Sequence, residues 1–111
     1  MFEAERIARA YIAPSNRNDQ AVMAELFDED ADWIPIAPIA QLKGKTAIRE
    51  RYLNEVRIMN APIIEDVYVA DKRRCVVEFI VDHPERGRVP IVDVFDVDEQ
   101  GRIIRLAVYR R

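Results

Sequence analysis

Histidine and cysteine are nearly missing from this chain: its 111 residues include one of each, His83 and Cys75. A lone thiol forms no intrachain disulfide, so Cys75 reads as a small buried side chain. One His and one Cys also argue against a zinc site of the usual ligands. Lysine is scarce, with Lys43, Lys45 and Lys72 alone, so the basic side is nearly all arginine. A net charge of -3 and a pI near 5.2 lack the basic face that nucleic acid requires. The closing Arg105, Arg110 and Arg111 read as a solvated strand end rather than a phosphate site. No apolar run reaches membrane-span length, and the N-terminus lacks a basic-then-apolar signal. The expectation is one soluble cytoplasmic domain over residues 1–111, with no cofactor, no nucleic acid and no membrane partner. Half of the residues are hydrophobic and a third charged, an ordinary globular balance.

What is present centres on one acid. In Ile91-Val92-Asp93-Val94-Phe95-Asp96-Val97, read as a strand, alternation places Ile91, Asp93, Phe95 and Val97 on one face. A carboxyl group then lies in an apolar row, where lost hydration favours its neutral form and raises its pKa. A neutral carboxylic acid can donate a hydrogen bond. An Asp at a rim, or paired with an arginine, fits the same periodicity, and both readings stand at this point.

Apolar spacing predicts a first helix from residue 3 to about 12, with Ala4, Ile7, Ala8, Tyr11 and Ile12 on one face, ended by Pro14-Ser15-Asn16. Asn18 or Asp19 caps a second, with Val22, Met23, Leu26 and Phe27 as its stripe. A short strand is expected over 31–35, and the prolines of 35–40 make that stretch a loop or an edge. Gly44 precedes a third helix from about 45 to 58, whose apolar face carries Ile48, Tyr52, Val56 and Met59. Beyond Pro62, four runs rich in Val, Ile, Phe and Tyr (63–70, 73–82, 88–98 and 102–110) are joined by short polar connections, which predicts an antiparallel meander.

Helices followed by strands indicate α+β: three N-terminal helices packed in a curved antiparallel sheet, forming a cone. Such a hollow is a natural small-molecule site. Its apolar lining is expected from Trp33, Phe79 and Phe95, each of which could equally fill a core. Val92, Val94, Leu106 and Val108 are expected on the outside of the sheet, as a homodimer surface.

Three segments resemble the NTF2-like superfamily, most closely its ketosteroid-isomerase and SnoaL-like branch. They are Arg9-Ala10-Tyr11-Ile12-Ala13 with Ala24-Glu25-Leu26-Phe27-Asp28-Glu29-Asp30-Ala31; Gly44-Lys45-Thr46-Ala47-Ile48-Arg49-Glu50-Arg51-Tyr52; and Pro90-Ile91-Val92-Asp93-Val94-Phe95 with Gly101-Arg102-Ile103-Ile104. The resemblance spans essentially the whole chain and implies the cone fold. It also implies a pair of donors for a developing enolate oxygen, a Tyr hydroxyl at Tyr11 and a protonated Asp at Asp93, with Tyr52 hydrogen-bonded to the first Tyr. Phe27 falls among the expected ligand-binding residues with Trp33, Phe79 and Phe95.

The chain departs from the pattern at the proton-shuttling base, an Asp just before a Pro at the end of the first strand. Here that position holds Ile34 or Pro35, depending on the alignment, and neither takes a proton. Alternation sets Asp32 opposite Trp33. Glu78, between Val76 and Ile80, could replace the base if its face looks inward; otherwise it pairs with an arginine across the sheet. The Asp-Arg-Asp set of the epoxide-hydrolase branch is absent, and His83, beside Pro84, reads as a turn residue. Two functions follow: an isomerase or cyclase acting on an apolar carbonyl compound, or a non-catalytic receptor or dimerisation module of the same fold.

Overall fold

The computed structural model describes residues 1–16, 19–54 and 62–111. Helix α1 (Glu3–Asn16) buries Ala4, Ile7, Ala8, Tyr11 and Ile12, while Glu3–Arg6 and Glu5–Arg9 ion pairs lie on its solvent face. It runs past the predicted stop and contains Pro14. Pro14 sits in the last turn, and its carbonyl accepts from the Asp19 N–H at 2.9 Å, which ties down the chain leaving the helix.

Asp19 caps α2 (Gln20–Glu25), its side chain accepting from the Val22 N–H. Phe27 does not extend that helix, as its spacing predicts, but opens strand β1 (Phe27–Ile34). The reason is tertiary: Ile103 donates its N–H to the Leu26 carbonyl at 2.9 Å and aligns with Phe27, drawing this segment into the sheet. The loop after β1 leads to a two-residue strand, β2 (Leu42–Lys43), which local periodicity does not reveal, and then to α3 (Lys45–Asn54). The predicted continuation of α3 to Val56, Ile58 and Met59 falls outside the described residues.

The remaining strands are β3 (Ile63–Ala70), β4 (Arg74–His83), β5 (Gly87–Val97) and β6 (Ile103–Arg110), within a residue of prediction at each end. They form the expected meander. The whole sheet has the order β2-β1-β6-β5-β4-β3, and β1 lies parallel to β6. The sheet is therefore mixed rather than wholly antiparallel, because the last strand returns beside the first and pairing between distant segments is not written in local periodicity.

The helices cover one face of this curved sheet, α1 against β3, β4 and β5 and α3 against β1 and β2. Between them lies the core, including Met23, Phe27, Ile48, Cys75, Val77, Phe95 and Leu106. No helix among the described residues is long and apolar enough to cross a membrane.

Candidate functional site

Strand register settles which way each side chain points, because residues paired across a ladder share a face. Asp93 aligns with Val77 on β4 and Val108 on β6, and Ile91 and Phe95 precede and follow it on its own strand. Aliphatic and aromatic groups thus surround it in the plane of the sheet. Its residual exposure is 4%, and Oδ1 has no hydrogen-bond partner. No arginine among the described residues pairs with it, so the rim reading of the sequence does not hold. Burial alone pushes its carboxyl up to about 8, which leaves it mostly neutral at pH 7.

The helices bring two phenols to the same region. Tyr11 descends from α1, with its ring 5.2 Å from that of Phe95 and 6.2 Å from that of Phe27, both edge-on. Tyr52 descends from α3 and places its hydroxyl 2.5 Å from that of Tyr11. Trp33, on the inner face of β1, donates its indole N–H to the Tyr52 oxygen at 3.0 Å. Burial, then the neighbouring Tyr52, then the charge of Asp93 hold Tyr11 well above an ordinary phenol. Burial likewise raises Tyr52; its bonds to Tyr11 and Trp33 oppose that rise, and Asp93 adds to it. Both tyrosines therefore stay protonated and able to donate.

Phe27 and Phe95 have no exposed surface and pack around the Tyr11 ring as its support. Trp33 and Phe79 keep slight exposure, and Phe79 stands beside Ile91 one rung from Asp93. Buried indole N–H groups find an acceptor as a rule. That rule was the available clue to the Trp33–Tyr52 bond, which periodicity and spacing do not disclose.

Glu78 is a correction. It aligns with Val92, on the face opposite Asp93, is exposed, and pairs with Arg111 at 3.1 Å. It cannot reach the tyrosines and is no part of the site. Asp32 is also outside, paired with Lys43 at 3.2 Å, whereas Trp33 points in. Ile34 aligns with Ala107 on the outer face. His83 Nδ1 accepts the N–H groups of Glu85 and Arg86 and so organises the β4–β5 turn. Among the described residues Asp93 is the only buried carboxyl group, and no cluster of His, Cys, Asp or Glu is suited to a metal ion.

The outer face needs a second correction. Leu106 and Val108 align with Phe95 and Asp93 and so point inward. Outward are Val92 and Val94, as expected, together with Val76, Ala107 and Tyr109. Beside them lies a groove of about 570 Å³ bounded by Asp28, Asp30, Asp32, Arg73, Asp96 and Arg105. Four acids face two arginines there; Arg105 pairs with Asp96 at 3.7 Å, and Asp28 pairs with Arg102, outside the groove lining, at 3.5 Å.

This architecture defines an NTF2-like α+β protein, and residues 8–106 match the SnoaL-like domain family. The chain belongs to that family. A structure from Sphaerobacter thermophilus is similar, with 27% identity and a TM-score of 0.84 over 97% of this chain and 95% of the other. A candidate polyketide cyclase from Xanthomonas campestris pv. campestris shares 20% identity and a TM-score of 0.80, over 98% and 90% of the two chains. SalBIII, an epoxide hydrolase/cyclase-like enzyme of pyran ring formation in the polyether salinomycin, shares 23% identity and a TM-score of 0.72, over 97% and 90%. No curated protein matches the chain.

Proposed function

We propose that this protein holds a small apolar carbonyl compound on the inner face of its sheet, in a hollow, with the ligand oxygen bound by the Tyr11 hydroxyl and the neutral Asp93 carboxyl. The observation that carries this reading is Asp93 itself: a buried acid with an unpaired oxygen, in apolar surroundings and near enough to two linked phenols that its ionisation would raise them. Nothing in packing rewards such a group, since an unpaired buried polar atom costs about 1–3 kcal/mol. Two donors converging on one oxygen stabilise the enolate form of a carbonyl compound, and removing one such donor typically costs roughly 10²–10³ in rate.

With Glu78 outside, Asp93 is the proton-handling group of this reading. As a neutral acid it donates to the carbonyl oxygen while the α-proton leaves to water or to a base on the ligand. An isomerase or cyclase-type reaction without a cofactor fits that chemistry, and the cyclase-like neighbours support it. The same donors serve a receptor that transfers no proton. The absence of a second buried carboxyl group among the described residues favours that alternative.

The test uses phenols as mimics of an enol. Binding of a phenol series is expected to weaken in both Asp93→Asn and Tyr11→Phe; unchanged affinity in both variants removes the proposal. Proton exchange α to the carbonyl of cyclic enones, followed by NMR in heavy water, then separates enzyme from receptor. Exchange no faster than in buffer favours the receptor.

A further inference from the structure

Strand β6 carries Arg105 and Arg110, Arg111 follows it, and the structure separates the three. Arg105 lies outside against Asp96, and Arg111 lies outside against Glu78. Arg110 aligns with Ile91, so it is on the inner side of the sheet, one rung from Asp93 and exposed at the strand end. The outward pairing of its neighbour Arg111 agrees with that placement by alternation. Arg110 has no ion-pair partner among the described residues.

The inner rows show where this rung lies. Along β5, exposure rises from none at Phe95 through 4% at Asp93 and 6% at Ile91 to a half-buried Val89. Along β4 it rises from none at Val77 through 5% at Phe79 to a half-buried Val81, which pairs with Val89. The inner face opens toward that end. Its walls there are apolar, and Arg110 is a cation placed beside them.

We infer that the ligand is bifunctional: an oxygen held at Asp93 and Tyr11, an apolar middle along Phe79 and Ile91, and a carboxylate received by Arg110. This rests on Asp93 and Tyr11 being the oxygen-binding pair. One step along a strand and one across the sheet separate the two anchor residues by about 8 Å between Cα atoms. The compound class is therefore an elongated carbonyl or enol acid rather than a neutral terpenoid or steroid. An arginine suits a carboxylate because its planar fork makes two parallel charge-assisted hydrogen bonds.

Two phenols of matched length test this: para-hydroxyphenylbutanoate, which carries the carboxylate, and para-butylphenol, which lacks it. Titration of both into the intact protein and its variants is expected to show that Arg110→Gln weakens the acid roughly tenfold or more and leaves butylphenol unchanged. Arg110→Lys should recover part of the loss, and Arg111→Gln on the outer face should change neither probe. Equal effects of Arg110→Gln on both probes, or on neither, overturn the role of Arg110 and leave the Asp93–Tyr11 reading standing. Failure of both phenols to bind the unaltered protein overturns the two together.

Discussion

The hydroxyl groups of Tyr11 and Tyr52 stand 2.5 Å apart although the residues lie 41 positions apart in the chain. One helix supplies each phenol, and either could donate. Trp33 biases the choice. Its indole N–H can only donate, and it occupies one acceptor site on the Tyr52 oxygen. A phenol that accepts a hydrogen bond becomes a better donor, so the chain runs from Trp33 to Tyr52 to Tyr11. The Tyr11 hydrogen is then free to meet a ligand oxygen.

Trp33→Phe keeps an aromatic ring and removes that donor. Across phenols of graded acidity, affinity is expected to fall by roughly fivefold, the value of a hydrogen bond near 1 kcal/mol. Tyr52→Phe should act similarly. The Trp33→Phe/Tyr52→Phe double variant should lose less than the sum, because both changes interrupt one chain. Additive losses in a titration cycle would show that Trp33 acts only by packing.

Asp93 makes stability fall as pH rises. Its carboxyl is ordinary in the unfolded chain, near 3.8, and pushed up to about 8 in the folded one. Below pH 4 it is neutral in both states and carries no ionisation penalty. From pH 4 to 8 the unfolded chain releases the proton and the folded one keeps it, so folding loses free energy; above pH 8 the loss levels off. At about 1.4 kcal/mol per tenfold preference for the neutral form, the full effect is on the order of 6 kcal/mol. Asp93→Asn lacks this titration. Urea denaturation from pH 4 to 9 should show the unaltered protein weakening relative to the variant until about pH 8, and parallel curves would contradict a buried neutral acid.

Ligand binding should follow the same titration. A nitrophenolate, already ionised near neutrality, is expected to bind best when Asp93 is protonated and to be lost as pH rises through about 8, where the carboxylate repels it. Fluorescence titration of Trp33 quenching across pH 6 to 9 reads this directly, and affinity rising with pH would reverse the assignment of donor and acceptor.

Glu78→Gln should leave phenol binding unchanged and alter stability by no more than about 0.5 kcal/mol, since it breaks an exposed pair with Arg111. A large loss of binding would return Glu78 to the site.

The two faces of β6 offer a packing test. Leu106→Ala, inside and without exposure, is expected to cost about 2–5 kcal/mol in chemical denaturation. Ile104→Ala, exposed at 40%, should cost less than about 1 kcal/mol. Similar losses at both positions would contradict the inward placement of Leu106.

Much of this protein was legible in its residues alone. Alternation through Ile91, Asp93, Phe95 and Val97 placed an acid in an apolar row, and spacings of three and four assigned Tyr11 and Tyr52 to the inner faces of their helices. Both periods are local, set by backbone geometry, so a single chain displays them. Which strand lies beside which is not local. The parallel return of β6 beside β1 drew Phe27 out of its helix and turned Leu106 and Val108 inward. Pairing of β4 with β5 set Glu78 on the outer face against Arg111, and pairing of β5 with β6 set Arg110 at the exposed edge of the inner face, a choice that alternation permits in either direction until a neighbouring strand fixes it. Tertiary packing likewise closed the Trp33–Tyr52–Tyr11 chain, because a hydrogen bond between distant segments exists only once the sheet and helices have brought them within 3 Å.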